Sequence, residues 1–282
     1  MDEVKAQEIR DRIEKIVWLA SFPKSGNTWM RLFLQSYYTG MPPDINKACL
    51  FSHSDQANRI YQSVMHSPLS EATEPEIVFF RGAALAKVVQ ENQPSTFFLK
   101  THHCNMMLEG QYLIPPLLTN CAIYLIRDPR DVALSYARHL SKPVDYVIDL
   151  MNTNTHVLLR DYNIKDFIST WSNHVLSWEQ SKFKVILLRY EDLVNTPIET
   201  FTEVVNALGL EVVEEDLQNA VKWTTFHELR SKEDAHGFNE AKGGKFFGFG
   251  KVGRWKTELT AEQADKIVEH HGETMQRYGY ET

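Results

Sequence analysis

The sequence predicts an α/β fold: a single domain with a central parallel sheet flanked by helices on both faces. Three observations carry this expectation. Short apolar, β-prone runs at 16–20, 96–100, 121–126 and 185–188 are separated by stretches with helical spacing. No Gly/Ser/Pro-rich linker, internal repeat or shift in composition divides the 282 residues. Basic and hydroxyl side chains cluster just after the runs, where parallel sheets bind ligands beyond the carboxyl ends of their strands.

The first strand is expected over 15–21 and the first helix over 27–38. In that helix Met30, Phe33, Leu34 and Tyr37 recur at i, i+3, i+4 and i+7 as one buried face. Residues 40–75 are rich in Pro, Ser, Asn and His and lack a long clean period, so they read as a functional or mobile connection. The runs at 96–100 and 121–126 end in Lys100-Thr101-His102-His103 and Arg127-Asp128-Pro129-Arg130-Asp131. A helix follows over 130–140, and another over 164–181, where Ile164, Phe167, Ile168, Trp171, Val175 and Trp178 keep helical spacing. The strand at 185–188 leads into Arg189-Tyr190-Glu191-Asp192, and a helix over 197–208 is closed by Gly209. Six glycines among Phe246, Phe247 and Phe249 make 236–253 a mobile flap by composition. A final helix covers 261–277, and the charged residues 1–14 read as a peripheral N-terminal segment.

With 43% apolar and 24% charged residues the chain reads as an ordinary globular protein. Its formal net charge of −7 argues against a general nucleic-acid or anionic-membrane surface, so any anion must be gripped locally. Cys49, Cys104 and Cys121 are odd in number and follow no zinc spacing, which points to reduced thiols and a cytoplasmic location. No signal-type stretch and no run of membrane-spanning length is present.

The most informative segment joins the first strand to the first helix. Pro23-Lys24-Ser25-Gly26-Asn27-Thr28-Trp29 is a tight basic loop at a helix N-terminus. There the backbone N–H groups and the positive end of the helix dipole face an anion. Lys24 adds a full charge, and Ser25 and Thr28 add hydroxyl donors. The loop is P-loop-like without being a Walker A motif, because its lysine precedes the only glycine instead of following a second one.

Four segments together resemble the cytosolic, small-molecule sulfotransferases, which use 3′-phosphoadenosine 5′-phosphosulfate (PAPS). The 23–29 loop resembles the family's phosphosulfate-binding loop, and Arg127 followed eight residues later by Ser135 resembles its 3′-phosphate-binding segment. Lys100-Thr101-His102 resembles the strand end that carries the catalytic base. Gly250-Lys251-Val252-Gly253-Arg254-Trp255-Lys256 is similar to the Gly-x-x-Gly-x-Trp-Lys motif, and weaker echoes lie at Tyr190-Glu191-Asp192 and Thr224-Thr225-Phe226.

The resemblance implies His102, Lys24, Lys100 and Ser135 as catalytic residues. It implies a nucleotide site built from Lys24, Ser25, Gly26, Asn27, Thr28, Trp29, Arg127, Ser135, Tyr190, Thr224, Thr225, Phe226, Gly250, Lys251 and Gly253. PAPS would be the co-substrate, PAP the product and a small molecule the acceptor, with no metal required. The residue types suit that chemistry. Sulfuryl transfer parallels phosphoryl transfer, with charge growing on the bridging oxygen that leaves. Lys24 can neutralise that charge, and the imidazole of His102 can take the acceptor's proton near neutral pH. Lys100 lies two residues before His102, on the same strand face, and His103 on the opposite one.

Plainer readings compete at each position. Lys24 can be a surface lysine, His102 a structural histidine, and Arg127 and Arg130 partners of Asp128 and Asp131. Trp29 can stack on adenine or pack in the core. At Gly248-Phe249-Gly250 the family's Arg-Lys-Gly start has lost both cations, and Lys251, Lys245 and Arg254 are the candidate replacements. Asn27 stands where threonine is common and can still donate. The acceptor pocket is expected from 40–75, 104–116, 142–160 and 236–250, with Met106 and Met107 as candidate lining. Asp44, Asp55, Asp145 and Asp149 could suit a cationic acceptor. A small-molecule kinase of the P-loop type and a non-catalytic PAP-binding module remain the alternatives, and monomer and homodimer both stay open.

Overall fold

The computed structural model describes residues 15–47, 52–91, 97–159, 164–241, 244–248 and 250–282. The expected N-terminal segment 1–14 and Cys49 lie outside them, as do Phe249 and two further residues of the 236–253 segment. The first half of the chain runs β1 (Ile16–Ser21), α1 (Asn27–Thr39), β2 (Ser52–Ser54), α2 (Asn58–Gln62), α3 (Glu74–Glu91) and β3 (Phe97–Thr101). A small hairpin, β4 (Met107–Leu108) and β5 (Gln111–Tyr112), precedes β6 (Thr119–Ile126), α4 (Pro129–Leu140) and α5 (Val144–Met151). A second hairpin, β7 (Val157–Leu159) and β8 (Lys165–Phe167), leads to α6 (Trp171–Glu179) and β9 (Lys184–Arg189). The chain ends through α7 (Tyr190–Asn195), α8 (Pro197–Ala207), α9 (Glu214–Trp223), α10 (Phe226–His236), α11 (Trp255–Glu258) and α12 (Ala261–Arg277).

Five strands form one parallel sheet in the order β2-β3-β1-β6-β9. Apart from the edge strand β2, its strands are mostly apolar because both faces are covered, and the period-2 alternation of β1 sorts its side chains between two cores. Ile16, Trp18 and Ala20 pack with α4, α5, α6 and α12. Val17 and Leu19 pack with Met30, Phe33, Leu34 and Tyr37 of α1 and with α8 and α9. The connection leaving β1 runs toward β2, and that leaving β3 runs back across β1 to β6. The crevice therefore opens between the carboxyl ends of β1 and β3, where the order of strands reverses. The loop at 23–26 follows one of those ends and His102 the other.

Two elements differ from expectation. The helix predicted over 164–181 begins only at Trp171, and residues 165–167 instead form β8, antiparallel to β7. The reason is tertiary. Phe167 donates its N–H to His103 Nδ1 (3.1 Å), and its carbonyl accepts from the Cys104 N–H (2.7 Å). Ser169 at φ 64° then breaks the backbone, and Thr170 caps α6 through the Asn173 N–H. The second difference lies at 52–91, where the edge strand β2 and the helix α3 stand. Exposed Phe79 (63%) and buried Arg81 (2%) invert the binary pattern of α3 and blur its stripe.

Arg81 fastens α3 to the sheet edge. Its guanidinium donates to Asp55 Oδ2 (2.5 Å), Tyr61 Oη (2.6 Å) and the Leu113 carbonyl (2.6 Å). Replacing one partner leaves the other charge buried and uncompensated. Arg81→Met is expected to cost about 3–5 kcal/mol in urea unfolding, and Asp55→Asn in that background to recover part of it. A loss no larger than a surface substitution gives would contradict this account of the edge.

Candidate active site

A cavity of about 580 Å³ opens at the carboxyl ends of β1 and β3. Lys24, Gly26, Asn27, Thr28 and Trp29 line it from the loop and α1, and Lys100 and His102 from the end of β3. Arg127 and Ser135 reach it from the β6–α4 segment. Tyr190, Thr224, Thr225, Phe226, Gly250 and Lys251 complete the far wall. Two residues expected here do not line it. Ser25 is fully buried beneath the loop, and the Gly253 N–H is taken by Asp131 Oδ2 (2.7 Å).

The loop is held in a conformation few residues adopt. Lys24 sits at φ 69° and Gly26 at φ 105°, left-handed geometry that strains a lysine and suits glycine. A Cβ at Gly26 would stand 2.7 Å from Tyr190 Cδ2. Tyr190 in turn meets Trp29 edge to face at 5.8 Å and carries the Arg127 guanidinium 4.2 Å over its ring. Trp29 also meets Phe201 of the core, so it belongs to the cavity and the core together. The amide nitrogen of Asn27 is not turned to an anion. It donates to the Leu19 carbonyl (2.8 Å) and to Ser21 Oγ (3.4 Å), pinning α1 to β1.

His102 is nearly buried (9% exposed). Its Nδ1 lies 2.8 Å from the Ser21 carbonyl oxygen. A carbonyl can only accept, so Nδ1 carries the proton and Nε2 keeps the lone pair. A second histidine fixes the backbone of the first. His174 Nε2 donates to the His102 carbonyl (3.1 Å), while its Nδ1 accepts from the Tyr124 hydroxyl (2.8 Å). Burial lowers the His174 pKa to about 3, which keeps the ring neutral in that role.

His103 faces away, as its place on the strand predicts. It is buried beside Asp55 and Asp166, 3.8 and 3.9 Å from Nε2. Asp55, His103 and Asp166 have the spacing of a metal site, but their chemistry does not fit one. Nδ1 accepts from the Phe167 N–H, so in the neutral ring Nε2 carries the proton; it abuts the Gln56 side-chain amide, and a protonated nitrogen is not a ligand.

Lys24 pays for its place. Burial, then Arg138, Lys100 and Arg127 nearby, lower its pKa to about 7, against a smaller opposing pull from Glu240. Its ammonium also lies 4.1 Å over the Phe246 ring. Glu240 enters the cavity from the 236–253 segment, where its carboxylate accepts from Arg31 Nη1 (2.8 Å) and from Thr28 Oγ1 (3.3 Å). Neither Glu240 nor Arg138 was singled out in the sequence, because neither belongs to a motif.

The bland pairing expected for the second arginine is what occurs. Arg130 binds Asp128 through two bonds of 2.9 and 2.8 Å and lies 3.6 Å over the Trp255 ring. Arg127 instead donates to the carbonyls of Lys24 (3.2 Å) and Lys251 (3.3 Å), and stands 3.9 Å from Asp131. Asp131 also accepts from the Trp255 N–H (3.0 Å), so the 250–256 motif is clamped to α4. Glu191 accepts from the Asp128 N–H (3.1 Å) and from the Tyr280 hydroxyl (2.9 Å), which gives the 190–192 echo a structural part. Of the three candidate replacement cations, Arg254 and Lys251 line the cavity, while Lys245 pairs with Asp234 outside it.

The expected acceptor lining is largely corrected. Among the described residues nothing from 40–75 or 104–116 reaches the cavity, and Met106 and Met107 lie exposed. Of the described residues in 142–160 only Leu158 contributes, whereas 236–250 supplies Glu240, Phe246, Phe247, Gly248 and Gly250. Asp44, Asp145 and Asp149 bond Lys47, Gln263 and Lys266 at the surface, and Asp55 is held by Arg81. Phe246 and Phe247 pack with Leu32, Ile45 and Leu229, so the described part of the glycine-rich segment is anchored by its aromatics.

Residues 14–279 match the family described as the sulfotransferase domain. The chain is a member of the sulfotransferase family. An amine sulfotransferase of Oryctolagus cuniculus is 25% identical, the match covering 96% of this chain and 83% of that protein. A flavonol 3-sulfotransferase of Flaveria bidentis is also 25% identical, over 89% of this chain and 78% of its own length. A mouse sulfotransferase complexed with PAP has the same fold at TM-score 0.61 and 18% identity, covering 98% of this chain and 90% of that one. Retinol dehydratase with androsterone and PAP aligns at TM-score 0.64 and 17% identity, over 95% and 83% of the two chains. In this sulfotransferase, as in the sequence reading, the loop lysine and the strand-end histidine share one cavity.

The buried Lys24 ammonium burdens the fold. Because its folded pKa of about 7 lies below the unfolded 10.5, the unfolded chain holds the extra proton between those values. The penalty is full below pH 7 and fades as pH rises toward 10.5. Lys24→Met is therefore expected to raise the melting temperature of the nucleotide-free protein, more at pH 6 than at pH 9, while activity is lost. A melting temperature that falls, or rises equally at both pH values, would contradict this.

Proposed function

We propose that this sulfotransferase moves the sulfuryl group of PAPS to a hydroxyl, or an amine or amide nitrogen, of a small-molecule acceptor, with His102 as general base. The observation that carries the reading is the bond from His102 Nδ1 to the Ser21 carbonyl, made inside the cavity that Lys24 lines. That bond leaves Nε2 as the nitrogen able to accept a proton.

The residues present fit the nucleotide. Trp29 Nε1 and Arg127 Nε, in residues that line the cavity, are buried polar atoms without a protein partner, and the loop holds its backbone donors at a helix N-terminus. PAPS supplies an activated sulfuryl group on a phosphate leaving group. Lys24 neutralises charge as it develops on the departing phosphate. Lys100 steadies the sulfuryl oxygens, Arg127 and Ser135 hold the 3′-phosphate, and Trp29 with Phe226 flanks the adenine. His102 takes the acceptor's proton, held in the correct tautomer by Ser21 and in place by His174. The acceptor enters against Leu158, Phe246 and Phe247, with Glu240 at the edge of the anion site. No divalent ion has a step to perform, since a singly charged sulfuryl group is met by lysines alone. The buried free thiols of Cys104 and Cys121 suit a reducing cytoplasm.

His102→Ala is expected to lower kcat by roughly 10²- to 10⁴-fold in a radiolabelled-sulfate transfer assay, while PAP still binds by calorimetry. Full turnover in that variant removes His102 from the chemistry. Turnover is also expected to survive EDTA, and a strict requirement for a divalent metal would favour the kinase alternative.

A further inference from the structure

The C-terminal motif of this chain begins with Gly248-Phe249-Gly250, where the family's two cations are missing. The space beside Gly248 is nonetheless filled by a cation from elsewhere. A Cβ at residue 248 would stand 2.5 Å from Nη1, 2.6 Å from Cζ and 2.8 Å from Nη2 of Arg138. Any side chain at 248 would drive the guanidinium out. Glycine there and arginine on α4 thus fit one another, and the fit explains why the motif lost its charge without the cavity losing its own.

We propose that Arg138 recognises the 3′-phosphate of the nucleotide, in place of the cationic pair that the C-terminal motif lacks. The proposal rests on the reading of the donor as PAPS. Arg138 lies three residues after Ser135 on α4, so both share one helix face, and both line the cavity with Arg127. Its electrostatic neighbours are Arg254, Arg127 and Arg230, opposed by Glu258, whose carboxylate is already bonded by Arg254. Arg138 is in turn the nearest in effect of the like charges that bear on Lys24. Cations crowded this way, in a partly dry cavity, call for an anion of more than one charge. A phosphate monoester carries up to two and accepts the two-pronged donation of a guanidinium, which an ammonium cannot copy. Specificity for a 3′-phosphorylated nucleotide has moved, on this account, from the C-terminal loop to α4.

The test compares PAP with AMP, which lacks only the 3′-phosphate, by calorimetry on the purified protein. The unaltered protein is expected to bind PAP more tightly than AMP. Arg138→Gln is expected to weaken PAP roughly 10- to 100-fold with AMP unchanged, and Arg138→Lys to restore only part of the loss. Gly248→Ala is a second probe. Residue 248 has no left-handed φ, so alanine is conformationally free there and tests only the space beside the guanidinium. It too is expected to weaken PAP and spare AMP. If Arg138→Gln keeps the full preference for PAP, or loses PAP and AMP equally, the assignment of Arg138 fails while the PAPS reading stands. If the unaltered protein has no preference for PAP over AMP, the PAPS reading fails and takes the assignment with it.

Discussion

The hydrogen bond from His102 Nδ1 to the carbonyl of Ser21 joins the end of β3 to the end of β1, and the site is assembled around it. It settles which ring nitrogen carries the proton, and it fixes the imidazole against the strand that feeds the 23–26 loop. Asn27, the first residue of α1, ties that helix to the same strand by donating to the Leu19 carbonyl. From behind, His174 and Trp178 of α6 bond the carbonyls of His102 and His103. Backbone groups released where β3 ends are therefore satisfied by side chains, which fixes the strand end.

The same crevice concentrates positive charge, and the fold offsets that concentration with aromatic faces. Lys24 lies over Phe246, Arg127 over Tyr190 and Arg130 over Trp255. Each ring comes from a different segment, so the cation contacts also tie the 23–26 loop to the 236–253 segment, and the start of α4 to α7 and the C-terminal motif. Such sites are held against their own repulsion and strain by surrounding structure, a cost common where stability is exchanged for activity. Glu240 eases the repulsion at one edge, reaching Arg31 and Thr28 from a segment whose aromatics are packed and whose backbone is rich in glycine.

Much of this was legible in the sequence. The strands of the central sheet other than β2 showed as apolar runs, because burial on both faces leaves little else for them to be. The loop, the strand-end histidine and the Arg127–Ser135 pair were readable from residue type and spacing, and they share one cavity. What escaped has physical causes. The start of α6 was misplaced because the spacing of Ile164, Phe167 and Ile168 is helical, while Phe167 bonds His103 and Cys104, some sixty residues away in the chain, and Ile168 bonds the His156 carbonyl. α3 was hidden by an exposed phenylalanine and a buried arginine. The amide of Asn27, a plausible anion donor by type, is spent inside the fold. The cavity walls contributed by Glu240 and Arg138 follow from tertiary approach, which no local pattern announces.

The central claim is that His102 enters the reaction as a neutral imidazole with Nε2 able to take a proton, in the cavity shared with Lys24. Nitrogen-15 NMR of histidine-labelled protein, with His102 assigned by substitution, tests it most directly. The account predicts a protonated, pyrrole-type Nδ1 and an unprotonated, pyridine-type Nε2 at neutral pH, with the His102 signals shifting when PAP is added. The opposite tautomer, or His102 signals indifferent to a saturating nucleotide, would contradict it.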